Sequence, residues 1–577
     1  MGISILEEQT MSKEEKNHGI SRRTFIKAAV TAAGGTVMAG CAAKTAGTAT
    51  GTTQNAGSQT GATKYSFEVP PAAIPDSQIS ETKEAEIIVV GAGTSGLCTA
   101  MSAAEAGAKV ILFAKGKGPV GRGGSNFAVF SKYMQSLNIP KLEAEPFLRS
   151  QLMANAFNVD TTKWYTWYNN SEEAMNWLID HMAKTSYEIH LEQGNRGMDP
   201  ADPAYCPSGT HAWISADMKK VGDGQPFVVE TLAKQAAEAG VEVIYNMDAQ
   251  QLVRENDNKG RVTAVIAKNA DGKYVKFKGS KAIVLATGDF SADPEMMAKY
   301  CPQGLKYASN IGKNVDPENG KVYGGLFKGQ GQKMGLWIGA GWQRTYPNAP
   351  MMGAMGGVSN LPYNAPSGII LNSNGLRFFS EEVTSGMFTN LMLHQPGQTY
   401  YNIWDAGYAE SGQPWYLGKT AYGSDPATPE SMIASWEDSV KNKKMFKADT
   451  LEELVKALGL PASTLDEIKK YNGFCASGKD TDFYKRPELL KPIEKGPFYG
   501  MSSNGIVFLT VLGGLRTNSN MQVCADDDTP IPGLYNVGTM TGDSFGSNYS
   551  FQIAGHNLGM NCVTFGYLTG RSIAKNA

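Results

Sequence analysis

The sequence is poor in the residues that metal and haem chemistry require. Its seven cysteines, at 41, 98, 206, 301, 475, 524 and 562, include no close pair, and six of them are expected to be small buried hydrophobes. No Cys-x-x-Cys-His occurs, so no haem is attached through that motif, and no cysteine-rich set suggests an iron–sulfur cluster. Any one-electron partner is therefore expected to be another molecule. No grouping of His, Asp and Glu has metal-ligand spacing, and no metal is expected. An excess of charge of one sign is missing too: 53 Lys and Arg against 55 Asp and Glu leave a formal charge of −2. This balance excludes the broad basic footprint of a nucleic-acid binder.

What is present is globular. With 577 residues, 42% hydrophobic and 19% charged, the chain has ample length for a large core and about two domains. Glycine is over-represented at 65 residues, about 11% against a usual ~7%, without a Gly-X-Y period. Many turns, or many close approaches of backbone to a ligand, are the remaining explanations.

The N-terminus reads as an address. Ser21-Arg22-Arg23-Thr24-Phe25-Ile26-Lys27 is a twin-arginine signature. The apolar stretch that follows, Ala28 to Gly40, is interrupted by Thr31, Gly34, Gly35 and Thr36 and is too short to span a bilayer as a mature helix. It ends in Val37-Met38-Ala39-Gly40-Cys41, which looks like a bacterial lipobox, with Cys41 the expected lipidated residue. The alternative is an ordinary cleaved signal with a chance cysteine. Either way the mature protein is expected to work outside the cytoplasmic membrane. Residues 42 to 81, rich in Ala, Gly, Thr, Ser and Gln, are expected to form a flexible tether.

A nucleotide site opens directly afterwards. Glu86-Ile87-Ile88-Val89-Val90 suits a strand buried on both faces. Gly91-Ala92-Gly93-Thr94-Ser95-Gly96 follows, then a helical stretch to about Gly107 and a second strand over Lys109 to Phe113. This strand–turn–helix–strand context gives the Gly-x-Gly-x-x-Gly match its weight. Gly91 permits the turn, Gly93 lets backbone approach a pyrophosphate, and Gly96 lets helix pack on strand, with the helix dipole facing the phosphates. The acidic residue that usually ends the second strand and binds ribose is missing: Ala114 stands there, followed by Lys115.

Further segments complete the pattern. Gly121-Arg122-Gly123-Gly124-Ser125-Asn126 is a second glycine loop. Lys281 to Leu285 is a buried strand running into Ala286-Thr287-Gly288-Asp289-Phe290, and Gly329-Gln330-Gly331 opens a helix. Gly513-Gly514-Leu515-Arg516-Thr517 leads to Ile531 through Gly538-Thr539, and a closing helix is expected from about Leu558 to Ala574. In this order, over residues 84 to 577, these motifs resemble the FAD-containing superfamily of soluble fumarate reductases, urocanate reductases and 3-ketosteroid dehydrogenases.

The resemblance implies an α/β protein whose Rossmann-like FAD domain is assembled from N- and C-terminal segments, expected at 82–345 and 500–577. An inserted α+β capping domain is expected at 346–499. FAD is the implied cofactor. Its contacts are expected from Gly91, Gly93, Thr94, Ser95, Gly96, Lys115, Gly123, Gly124, Ser125, Thr287, Gly288, Asp289, Gly513, Gly514, Leu515, Gly538 and Thr539. The implied chemistry is hydride transfer between flavin N5 and a carbon β to a carbonyl, with an acid or base handling the proton on the neighbouring carbon.

Departures from the family pattern carry the substrate expectation. Where fumarate-type members place their proton-donating arginine stands Ser385, where they have a histidine stands Thr510, and where they have a second arginine stands Tyr549. A dianion desolvated without those cations is penalised by several kcal/mol per charge. Gly546-Ser547-Asn548-Tyr549, with Gly555 beyond, is similar to the ketosteroid-dehydrogenase arrangement in which a phenol and a backbone N–H polarise a ketone. Tyr549 is thus the expected oxyanion donor, with His556, Tyr363 and Ser385 as further catalytic candidates. Aromatic residues and methionines, among them Trp342, Tyr346, Met351 and Phe551, point to an apolar or ring-bearing substrate. The expectation is an extracytoplasmic reductase of an activated C=C bond, fed by a quinol pathway, a cytochrome or a flavin protein. A ketosteroid-type dehydrogenase running oxidatively and a non-catalytic flavin-binding lipoprotein are the alternatives.

Overall fold

The structure is a computed structural model that describes residues 65–192, 199–201, 205–215, 224–311, 325–354, 368–411 and 428–575. The twin-arginine segment, Cys41, most of the expected tether and Tyr363 lie outside the described residues. No described helix is long and apolar enough to cross a membrane.

The run Ile87-Ile88-Val89-Val90 is at most 3% exposed, and it ends strand β1 (Ile79–Val90). β-branched side chains suit a pleated strand covered on both faces. Four more strands lie parallel to its sheet: β2 (Val110–Phe113), β3 (Glu242–Ile244), β4 (Tyr274–Leu285) and β5 (Pro530–Asn536), in lateral order β5-β4-β1-β2-β3. The C-terminal strand β5 therefore completes a sheet begun some 450 residues earlier, an α/β architecture closed by both ends of the chain.

Alternating residues of β1 belong to two different cores. Ile87 and Val89 pack with helix α1 (Thr94–Glu105) and the C-terminal helix Phe565–Lys575. Ile88 and Val90 pack with an antiparallel pair, Asp248–Arg254 and Val262–Lys268, and with Met334 and Leu515. Beside this sheet stands a three-stranded antiparallel one, with Thr210–Ile214 between Asn126–Phe127 and Glu188–Glu192.

Between β4 and β5 the chain builds a further core of its own. Strands Ile369–Leu371, Tyr400–Asp405, Phe498–Ser503 and Phe446–Ala448 form an antiparallel sheet in that order, packed around Trp404, Trp436, Tyr471 and Tyr499. A buried ion cluster ties its loops together. Arg377 donates to Glu381 at 2.9 and 2.8 Å and to Asp480 at 3.0 Å, while Lys485 lies 3.4 Å from Glu381. Glu382 pairs with Arg486 at 2.5 Å.

Candidate active site

The C-terminal ends of the parallel strands share one level. Val90 pairs with both Phe113 and Leu285, Phe113 with Ile244, and Leu285 with Asn536. The loops leaving these strands wall a cavity of about 1190 Å³. Single-ligand pockets run to about 300–1,000 Å³, so this one has room for a dinucleotide and a further molecule.

At one end the N-terminus of α1 opens on the cavity with no side-chain cap. Gly91, at φ +117°, must be glycine because a methyl there would strike the Ala286 backbone. Gly96 must be glycine because a methyl would overlap the Gly91 carbonyl oxygen, so that helix and loop are in direct contact. Gly93 is different. Its φ of −86° is open to any residue, and the nearest atom to an added methyl is the Val120 oxygen at 3.6 Å. Nothing in the protein forbids a side chain, and the bare surface faces the cavity. This is the fit expected of backbone that a pyrophosphate touches, with the α1 N–H groups and dipole behind it. Beyond it Lys115 and Asp248 meet at 3.0 Å on the wall, so a carboxylate does stand beside Ala114. It opens the strand Asp248–Arg254, which follows β3, and does not stand at the end of β2.

The other end is lined by Gly123, Gly124, Ser125, Thr287, Gly288 and Thr539. Arg122, in the second glycine loop, is the main feature that sequence reasoning missed. Its guanidinium donates to Asp289 at 3.0 Å, to Thr510 Oγ1 at 3.3 Å and to the Leu509 carbonyl at 3.3 Å, and it lies 5.0 Å from the centre of the Phe327 ring. Asp289 is fully buried and also accepts from Thr510. Lys333, also on the wall, pairs with Asp293 at 2.6 Å, and Lys328 is exposed. Apolar wall comes from Met351, Val507, Leu509 and Phe551.

Helix α2 (Thr161–Met182) fixes the loop that carries Tyr549 and His556. Its buried Lys163 donates to the Gly542 carbonyl at 2.7 Å, and Trp164 donates to that of Ser544 at 2.8 Å. Tyr549 lines the cavity, but its hydroxyl donates to the Ile553 carbonyl at 3.0 Å, and burial pushes its pKa up. The phenol is turned into its own loop, and this geometry does not present the free oxyanion donor expected of it. His556 is away from the main cavity wall. Its ring sits 4.6 Å from those of Trp164 and Trp167 and 5.2 Å from that of Phe545, and desolvation lowers its pKa to about 3. A neutral imidazole boxed by aromatics packs the loop; it is not placed to be a general acid.

A second residue that sequence reasoning missed is Glu192, at the end of the strand Glu188–Glu192. It is 5% exposed, lines the cavity and accepts a hydrogen bond from Ser125. Desolvation raises its carboxyl to about 7 against an ordinary 4.5, with the Ser125 bond opposing.

A family model described as FAD binding domain matches residues 86–552. The chain belongs to this family of FAD-binding flavoproteins. FAD is its cofactor and it is an FAD-dependent oxidoreductase, a member of the superfamily that its motifs resemble. The flavoprotein is 26% identical over 506 residues to vinyl phenol reductase of Lactiplantibacillus plantarum, covering 85% of this chain and 96% of that protein. It is 26% identical over 517 residues to urocanate reductase of Eggerthella lenta, covering 88% of this chain and 76% of that one. Its fold matches that of 3-ketosteroid-Δ4-(5α)-dehydrogenase from Rhodococcus jostii with a TM-score of 0.63 at 23% identity, covering 87% of this chain and 99% of the other.

Several residues expected at the cofactor sit behind the flavoprotein's cavity wall. A methyl on Gly513 would strike Gln343, and one on Gly514 the Met540 carbonyl, so internal packing accounts for both glycines. Leu515 is fully buried in the sheet core, Gly538 packs on the Ser95 side chain, and Asp289 stands behind Arg122 and Thr510 of the wall. Arg516 faces the Asp526–Asp528 turn. Ser385 opens the helix Ser385–Leu393. The closing helix is a π-helical turn, Leu558–Thr564, before Phe565–Lys575, and it sets Leu558 and Cys562 on the cavity wall.

Proposed function

We propose that the flavoprotein reduces an activated C=C bond in a neutral, apolar or aromatic substrate. One observation carries this reading: among the described residues, each buried or half-buried cation on the cavity wall already has a carboxylate partner. Arg122 has Asp289 and Lys333 has Asp293, and the exposed Lys115 is paired with Asp248. A dicarboxylate entering this cavity would give up its hydration to cations already neutralised, at several kcal/mol per charge. A conjugated ring or enone would instead lie against Met351, Leu509 and Phe551. The relatives named for vinyl phenol and urocanate reduction support the same reading.

Gly93 to Ser95 would hold the pyrophosphate of FAD, Lys115 and Asp248 its adenosine end, and Gly123 to Ser125, Thr287 and Thr539 the end that bears the ring. When bound and reduced, FAD supplies hydride to one carbon of the alkene. The chain's own residues shape the rest. Arg122, fixed by Asp289, Thr510 and Leu509, offers a rigid donor edge whose charge is cancelled. In this reading the enzyme works outside the cytoplasmic membrane, held by lipid on Cys41 and fed by an external donor, on the strength of the Ser21–Lys27 and Val37–Cys41 motifs.

The test is anaerobic oxidation of the viologen-reduced protein by a panel of aryl enones, vinyl phenols, arylacrylates and small diacids. Neutral conjugated alkenes are expected to oxidise it fastest. Diacids as the best oxidants, or a reducible yellow protein that no panel member reoxidises, would refute the proposal.

A further inference from the structure

We infer that Arg122 docks the carbonyl oxygen of a conjugated ketone, through guanidinium N–H groups that the protein leaves unused. The inference rests on the C=C-reductase reading above and narrows its substrate class to uncharged enones. A guanidinium carries five N–H donors. Three of those of Arg122 are engaged: both on Nη2, by Asp289 and Thr510, and one on Nη1, by the Leu509 carbonyl. The second N–H of Nη1 and that of Nε have no acceptor among the described residues. Arg377 Nη1 and Arg516 Nε are enclosed without a partner; Arg122 Nε is not among the enclosed atoms, and the side chain is 15% exposed on the cavity wall. Tyr549, the donor expected for this oxygen, gives its hydroxyl to the Ile553 carbonyl instead.

The guanidinium is held where apolar wall meets polar wall. Leu509 and Thr510 belong to the strand Ile506–Val511, which pairs with Pro350–Ala354, and Thr510 is the register partner of Met351. Phe327 covers the guanidinium, its ring centre 5.0 Å away. A conjugated ketone resting on Met351 and Leu509 therefore brings its oxygen to the guanidinium at the edge of that surface. Asp289 decides which oxygens are accepted. It is fully buried and paired with Arg122 at 3.0 Å. A carboxylate docking on the same guanidinium would face a like charge across it, with little water to screen the two. A ketone brings no charge of its own. The donor is already in place for the charge that grows on the oxygen during reduction.

The step balances. The alkene gains a hydride, with its two electrons, from the reduced cofactor at the carbon β to the carbonyl. The electron pair of the C=C bond moves toward the oxygen, giving an enolate. Arg122 holds that oxygen by hydrogen bonds and keeps its own protons. A proton from water then forms the C–H bond on the neighbouring carbon, and the saturated ketone leaves.

The test uses FAD-loaded protein and two oxidants with the same aromatic ring, an aryl enone and the matching arylacrylate. The variants are Arg122→Lys, Asp289→Asn and the double variant Arg122→Met with Asp289→Asn, which removes the ion pair as a unit and strands no buried charge. The double variant should be reoxidised by the enone about 100-fold more slowly or worse. Arg122→Lys, which keeps the charge but not the fork of donors, should fall between it and the wild type. Asp289→Asn leaves the cation unpaired and should raise the acrylate-to-enone ratio of kcat/KM about tenfold or more. The flavin potential is measured in each protein. Independently of turnover, the infrared carbonyl band of an isotopically labelled enone bound to the oxidised protein should lie at lower frequency in the wild type than in the double variant. An enone rate unchanged in the double variant, a ratio that Asp289→Asn does not raise, a rate loss accounted for by a shifted flavin potential, or a carbonyl band at one frequency in both proteins would overturn the assignment while the wild type still turns over. A wild type that no alkene reoxidises would overturn the underlying reading, and the carbonyl band would still decide whether Arg122 meets the ligand's oxygen.

Discussion

Replacing Glu192 by Gln should change how stability depends on pH, and the size of the change follows from its burial, against which the Ser125 hydrogen bond acts. The carboxyl is held at about 7 in the folded protein against an ordinary 4.5, because folding removes it from water. Between those values the unfolded chain releases the proton and the folded chain keeps it. Folding therefore binds a proton in this window, and stability falls as pH rises from about 4.5 to about 7, then levels off. At about 1.36 kcal/mol per pH unit the loss is about 3 kcal/mol. Glutamine fills the same space without titrating. Urea unfolding of the FAD-loaded wild type and of Glu192→Gln, each near pH 5 and near pH 8, gives the comparison. The variant should gain on the wild type by about 2–3 kcal/mol between the two conditions. Parallel stability–pH curves would show that Glu192 ionises normally in the fold, and the argument from its burial would fail.

Other perturbations separate cofactor contact from packing. Gly93→Ala should fold, because the nearest atom to the new methyl is 3.6 Å away, yet bind FAD more weakly by about 1–3 kcal/mol in a fluorescence titration; unchanged affinity would remove Gly93 from the phosphate contact. Gly96→Ala should fail to give folded protein by circular dichroism, since the methyl overlaps the Gly91 carbonyl. Arg122→Met leaves the fully buried Asp289 without its cation and should destabilise by about 3–5 kcal/mol in denaturant titration, with Asp289→Asn restoring part of the loss. Tyr549→Phe leaves the Ile553 carbonyl unsatisfied and should cost about 1–3 kcal/mol of stability, with a rate loss well below the 100-fold expected of an oxyanion donor. A loss of that size with stability intact would return the phenol to the chemistry.

What the sequence made legible is what local backbone rules dictate. Gly91 sits at φ +117° and Gly96 lies against the Gly91 carbonyl oxygen, so the turn, its helix and the buried strand before it can be read from a short window. The residues that set the site's electrostatics are joined across long loops and leave no such trace. Arg122 meets Asp289 and Thr510 at separations of 167 and 388 residues. Read alone, Thr510 is a missing histidine; in the fold it is a hydroxyl bridging to Asp289 beside the guanidinium. Asp248 stands beside Ala114 because β3 is the neighbour of β2, a lateral order that no motif states. For Tyr549 the position was readable and the direction was not. The loop turns at Phe551, at φ +58°, and the phenol donates to the Ile553 carbonyl. Glu192 was least visible, since the run Glu188-Ile189-His190-Leu191-Glu192 looks like an ordinary half-exposed strand. Its last side chain is buried at a strand end whose partner, Thr210, is bonded to the Ala554 loop. A charge whose desolvation is decided by tertiary contact can therefore be found only after the fold is known.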